Sequence, residues 1–129
     1  MTEPQHHSSL SETLTTIQRF NEAVNQHDVA LIMSLMTDDC VFENTSPSPN
    51  GTRYVGKSSV RAFWEDFFRS SPQAHFEYEE VFANGDRGVV RWLYRWQTGT
   101  DGSIGHVRGV DILKVRYGQV AEKLSYVKG

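Results

Sequence analysis

The stretch His106-Val-Arg-Gly-Val-Asp-Ile-Leu-Lys-Val-Arg116 alternates with period two, the spacing of a β-strand. Val107, Gly109, Asp111, Leu113 and Val115 fall on one face; Arg108, Val110, Ile112, Lys114 and Arg116 fall on the other. One carboxylate therefore stands in an apolar row. A buried carboxylate either finds a partner or holds its proton more tightly, and a group poised in that way can move protons for chemistry. Asp111 is the first candidate for a general acid or base.

The turn after this strand sets what faces Asp111. A two-residue type I′ turn at Tyr117-Gly118 needs a positive φ at Tyr117, whereas a three-residue Arg116-Tyr117-Gly118 loop needs it only at Gly118. The longer loop is preferred. It pairs Val115 with Gln119 and sets Asp111 opposite Lys123 and Gly109 opposite Ser125, in a last strand from Gln119 to about Val127. The shorter turn sets Leu124 opposite Asp111 instead.

Upstream, the period of two continues. Gly99-Thr-Asp-Gly102 reads as a turn, preceded by Val90, Trp92, Tyr94 and Trp96 alternating with Arg91, Leu93 and Arg95. Asn84-Gly-Asp86 is a further turn, and before it Phe76, Tyr78 and Phe82 alternate with Glu77, Glu79 and Val81. These are long antiparallel strands.

The N-terminal half has helical spacing. Ser9-x-x-Glu12 is a capping box, and Leu10, Leu14, Ile17, Phe20 and Val24 predict a helix from about Leu10 to about Gln26. Asp28 caps a shorter helix with Leu31, Ile32, Leu35 and Met36 inside, ending near Thr37-Asp38-Asp39. Cys40-Val-Phe-Glu-Asn44 is a short strand with Phe42 and Asn44 on one face, followed by the turn-rich Thr45 to Gly51. Ser58 opens a third helix with Val60, Phe63, Trp64, Phe67 and Phe68 on one aromatic side, stopped at Ser70-Ser-Pro72.

At 129 residues the chain makes one domain, residues 10–129, behind a flexible tail at residues 1–9. The net charge of −3, from 13 basic and 16 acidic residues interspersed, offers no stripe for nucleic acid and no polybasic patch for a membrane. Cys40 is the single cysteine, so no intrachain disulfide forms, which suits a reducing compartment. A polar N-terminus and no membrane-length apolar run predict a soluble, cytoplasmic protein. His6 and His7 fall in the tail, and no His or carboxylate accompanies His106 at ligand spacing, so no metal is expected. Arg91, Arg95 and Arg108 read as ion-pair partners on the outer face.

The order helix, helix, strand, helix, long antiparallel sheet, with Arg108-Gly-Val-Asp111, Gly118-Gln-Val-Ala-Glu122, Asp38-Asp-Cys-Val-Phe42 and Gly56, resembles the nuclear transport factor 2-like superfamily and, within it, the SnoaL-like polyketide cyclase group. The resemblance runs from about Leu14 to the end. It implies an α+β, cystatin-like fold, a curved antiparallel sheet wrapped around N-terminal helices into a cone with one deep pocket. It also implies that Asp111 stands where SnoaL-type cyclases carry their acid/base aspartate. Limonene epoxide hydrolase-like proteins of the same fold carry Tyr-x-Asn, Arg-x-Asp and a final Asp; here Phe42-Glu-Asn44, Trp92 with Tyr94, and Ser125 stand there, so that catalytic set is missing and Ser125 is placed in the pocket.

The expectation is a small-molecule enzyme without cofactor, an isomerase or cyclase that moves a proton at carbon next to a carbonyl. Asp111 is the catalytic group, with Lys123 keeping it ionised. Phe42, Tyr54, Trp64, Phe68 and Trp92 pack against an apolar or carbonyl-bearing ligand, Asn44 and the Tyr94 hydroxyl donate to a developing oxyanion, and Ser125 completes the wall. Other readings compete: a binding protein that holds such a ligand unchanged, a dimeric structural partner for another protein, and, for Asp111 itself, a structural ion pair with Lys123 or a hold by a neighbouring hydroxyl. Leu93, Val110 and Ile112, outward and apolar, predict a homodimer packed sheet to sheet.

Overall fold

A computed structural model of the protein describes residues 9–98 and 103–129. The tail with His6 and His7 (residues 1–8) and the turn at residues 99–102 lie outside the described residues. The elements, in chain order, are α1 (Leu10–Asn25), α2 (Val29–Ser34), β1 (Met36–Glu43), β2 (Arg53–Val55), α3 (Lys57–Ser70), β3 (Phe76–Asn84), β4 (Arg87–Thr98), β5 (Ser103–Arg116) and β6 (Gln119–Val127). The six strands form one curved sheet in the order β2-β1-β6-β5-β4-β3, antiparallel except for the parallel pair β1 and β6. This is the α+β architecture expected, with α1 lying across β3 to β6 and α3 against β1 and β2.

Local chemistry explains the helix ends. Ser9 Oγ accepts from the Glu12 amide at 3.2 Å and Asp28 Oδ1 from the Leu31 amide at 3.0 Å, so both α1 and α2 begin on side-chain caps. Ile17, Phe20 and Val24 form the buried stripe of α1. The helix lies close to the sheet because residue 88 is glycine, where a Cβ would stand 2.2 Å from Ile17 Cδ1. α2 stops at Ser34, not near Asp39, because Met36 to Asp39 already belong to β1. The Val120 amide donates to the Leu35 carbonyl at 2.6 Å, and Met36 is in register with Val120. Ser58 does not open α3; Gly56, at φ 87°, is its N-cap, just after the short strand β2 that pairs with β1.

Two bulges revise the facing of residues. In β3, Tyr78 pairs with Trp92 but Glu80 pairs with Arg91, so Glu79 is the extra residue. Val81 therefore turns inward and Phe82, expected beside Phe76 and Tyr78, turns outward and is 52% exposed. The second bulge concerns Asp111. The β5–β6 turn is the two-residue one, with Arg116 opposite Gln119 and positive φ at both Tyr117 and Gly118. Ala121 is then extra, since Val115 pairs with Val120 and Lys114 with Glu122. Asp111 thus faces Ser125 rather than Lys123 or Leu124, and Gly109 faces Val127 rather than Ser125. Each irregularity slips the expected register by one residue and the two together by two, so Lys123 and Ser125 stay on the face of Asp111.

The outer face also differs from expectation. Leu93 is 3% exposed, because Glu77 and Arg108 flank it across the sheet and pair with Arg95 and Glu79 over the same surface. Val110 and Ile112 remain half-buried there. Ile112 belongs to a row that crosses four strands in register, Phe82, Val89, Ile112 and Leu124.

Candidate functional site

A cavity of about 230 Å³ opens between α3 and the inner face of the sheet. Its walls are sorted by element. α3 contributes Phe63, Trp64 and Phe67, β1 contributes Phe42, and the segment after it Asn44, Thr45 and Ser46. Phe76 comes from β3, Trp92 and Tyr94 from β4, Val107 and Asp111 from β5, and Lys123, Ser125 and Val127 from β6.

Asp111 is 4% exposed, with two hydrogen-bond donors on one carboxylate oxygen and a cation near the other. Oδ1 accepts from the Ser125 hydroxyl at 2.7 Å and from Trp92 Nε1 at 3.0 Å. Oδ2 faces Lys123 Nζ at 3.5 Å, and that ammonium donates to Ser125 Oγ at 3.0 Å. Ser125 therefore links the cation to the carboxylate by a second route. Lys123 also lies over aromatic faces, 4.5 Å from the Phe42 ring centroid and 5.7 Å from that of Trp64. Burial pushes the Lys123 ammonium below the usual lysine range, and the charge and hydrogen bonding of Asp111 work against that shift. Burial, and then the Asp111 charge, hold the Tyr78 phenol above its ordinary value; its hydroxyl donates to the Asn21 carbonyl at 3.3 Å.

Glycine at 109 makes the Trp92 contact possible. A Cβ there would stand 2.4 Å from Trp92 Cζ2 and 2.4 Å from the Tyr126 carbonyl oxygen. Only without it can the indole lie across β5 and reach the carboxylate two residues further along. Arg108-Gly-Val-Asp111 is thus a platform and an acceptor for one tryptophan.

Asp111, Lys123, Phe42, Asn44, Trp64, Trp92, Tyr94 and Ser125 all line the cavity. Tyr54 and Phe68 do not. Tyr54 sits on β2, behind Phe42 (6.0 Å between centroids) and Phe63 (5.2 Å), and Phe68 is sandwiched between Trp64 at 5.6 Å and His27 at 4.3 Å. Asn44 Oδ1 accepts from the amides of Thr52 (2.8 Å) and Ser46 (3.3 Å), which leaves its NH₂ as the group able to serve a ligand. Phe63 and Phe67 share the predicted helix stripe, and Phe76 and Val107 share the period-two faces, so patterning could have nominated them. Asn25 could not be found that way. Its side chain clamps both backbone groups of Phe76 at 2.9 Å and so fixes one cavity wall to α1.

Elsewhere, Arg91 pairs with Glu80, Arg95 with Glu77 and Arg108 with Glu79. Cys40 is buried, and burial raises its thiol pKa. Among the described residues no group of three or more His, Cys, Asp or Glu side chains is gathered to hold a metal ion, and no helix is long and apolar enough to cross a membrane.

A model of the SnoaL-like domain matches residues 17–123. An NTF2-like protein of unknown function from Mesorhizobium loti, of known structure, is 35% identical, with 98% of each chain covered and a TM-score of 0.79. A candidate SnoaL-like polyketide cyclase from Jannaschia sp. CCS1 is 17% identical over 99% of this chain and 92% of its own, at a TM-score of 0.78. A candidate ketosteroid isomerase from Kribbella flavida is 16% identical over 93% and 80%, at 0.75. At that identity the last two share the fold alone. No curated protein matches the chain.

Proposed function

The chain belongs to the SnoaL-like domain family, and from that premise we propose that it is a small-molecule enzyme, an isomerase or cyclase. Asp111 takes a proton from carbon next to a carbonyl and returns it elsewhere on the ligand, without a cofactor. The observation that carries this reading is a carboxylate 4% exposed on the wall of a cavity otherwise built largely from aromatic rings. Such a carboxylate is desolvated and oriented by Trp92 and Ser125, so no reorganisation is needed at the moment of transfer. The Asn44 NH₂ and the Tyr94 hydroxyl supply donors for the developing enolate. At about 230 Å³ the cavity suits a ligand of one or two rings.

One observation favours a second reading, that of a binder which leaves its ligand unchanged: Oδ1 of Asp111 is already occupied by two donors. Proton exchange separates the two. Incubation of 2-tetralone in deuterium oxide should show enzyme-dependent loss of α-protons by NMR, reduced at least about 100-fold in Asp111→Asn. Saturable binding with no exchange above background would establish the binder instead. The outer row Phe82, Val89, Ile112 and Leu124 is proposed as the contact between two copies of the chain.

A further inference from the structure

Proton transfer by Asp111 gives Lys123 no bond to make, although among the described residues its amine is the one primary amine in the cavity wall. The other lysines stand elsewhere: Lys57 is 3.5 Å from Asp38, Lys114 lies on the outer face of β5, and Lys128 is exposed near the C-terminus. Lys123 Nζ is surrounded by the faces of Phe42 and Trp64, the Ser125 hydroxyl and Oδ2 of Asp111. An amine held between apolar rings with a carboxylate 3.5 Å away has what carbonyl condensation needs: a nucleophile and an adjacent group to move its protons.

We propose that Lys123 forms a Schiff base with the carbonyl of the ligand, which makes the substrate class an enolisable ketone or aldehyde. The proposal rests on the reading of Asp111 as the base, since the iminium exists to acidify the proton that Asp111 removes. The balance closes within the pair. Lys123 passes one ammonium proton to Asp111, directly or through Ser125, and the freed amine attacks the carbonyl carbon to form the C–N bond. The carbinolamine oxygen collects the proton held by Asp111 and a second from nitrogen, the C–O bond breaks, and water leaves. Lys123 is then an iminium and Asp111 a carboxylate, so one ammonium and one carbonyl have given one iminium and one water. Oδ2 of Asp111 next removes the α-proton, its electron pair forming the enamine. Reprotonation at carbon and hydrolysis restore the amine.

Burial supports the step, because an ammonium already pushed below the ordinary lysine range loses its proton at lower cost. The cation–π contacts with Phe42 and Trp64 are retained by the iminium, which carries the same charge.

The test uses the whole protein with 2-tetralone and sodium cyanoborohydride, which reduces an iminium to a stable secondary amine. Peptide mass mapping then reads the added tetralyl group at each lysine. The proposal expects Lys123 to be labelled at least tenfold faster than Lys57, Lys114 or Lys128, and Lys123→Arg, which keeps the cation beside Asp111, to lose that label. Labelling at Lys123 no faster than at the other three overturns it, and this comparison stands even if the arginine variant does not fold. Measured beside deuterium exchange, the outcomes separate. Exchange without Lys123 labelling overturns the Schiff base and keeps Asp111 as a non-covalent base. Labelling without exchange supports the Schiff base and removes Asp111 as the base, and neither overturns both.

Discussion

Replacing Asp111 by Asn removes the carboxylate that faces a buried ammonium and leaves the geometry otherwise close to its present form. Lys123, with a side chain 11% exposed, then keeps Ser125, Phe42 and Trp64 as neighbours and no counter-charge. Of the cavity-lining side chains that titrate, Asp111, Lys123 and Tyr94, only the first offsets the burial that depresses the lysine. Breaking a buried pair by deleting one partner costs about 3–5 kcal/mol when the survivor stays charged. Here the survivor has an escape, since it can release its proton, and the cost is capped by the price of doing so. The sign follows from linkage. A lysine whose folded pKa lies below its unfolded value binds more protons when unfolded, so folding stability rises with pH between the two values. Wild type has that slope, held to the alkaline side by Asp111. In Asp111→Asn the folded value drops further, so the rise begins at lower pH and stays no steeper than about 1.4 kcal/mol per pH unit, the limit for one proton. Urea unfolding of both proteins from pH 6 to 10 measures this, with Asp111→Asn in a Lys123→Met background as the control that flattens the curve. Parallel curves for wild type and Asp111→Asn, or an extra slope that survives Lys123→Met, would falsify the coupling.

Gly109→Ala should destabilise the protein by about 2–4 kcal/mol, since its Cβ arrives about 1 Å inside contact distance of both the Trp92 ring and the Tyr126 carbonyl, the latter unable to move without the strand. Near-UV circular dichroism should report the displaced indole and urea unfolding the loss; a change under about 0.5 kcal/mol refutes the platform role. For the outer face, sedimentation at micromolar concentration should show a dimer that Leu124→Lys converts to monomer, and a wild-type monomer removes the proposal.

The architecture was legible because amphipathic period is a local property: Ser9 and Asp28 cap where their side chains must, and the inward row is buried from Gly109 to Val115 and half-buried at Val107, as its alternation requires. Irregularities were not legible. Glu79 and Ala121 carry no mark of being the extra residue in a bulge, because a bulge is decided by how two strands meet and not by either alone. The preference against a positive φ at Tyr117 is a sound local cost of about 1–2 kcal/mol, overridden by a ladder that pairs β6 with β5 from Gly109 to Arg116. Tyr54 and Phe68 failed as wall residues for the same reason. An aromatic stripe tells that a ring is inward but not which side of the neighbouring ring it occupies.

Weighing the pair of Asp111 and Lys123 leads beyond packing. Two well-shaped apolar side chains in their place would leave a chain as stable or up to about 1–4 kcal/mol more so, because burying opposite charges seldom returns what their dehydration costs. A cavity meant only to hold an apolar ligand gains nothing from that expense, and the charge separation here is not even tight, at 3.5 Å and bridged through Ser125. A loose pair is poor cement. It is a suitable arrangement for moving a proton, since Oδ2 faces the cation at 3.5 Å while Oδ1 is pinned by Trp92 and Ser125. The carboxylate is held by one oxygen and free to act with the other, and that division of labour is what a stabilising ion pair has no reason to have.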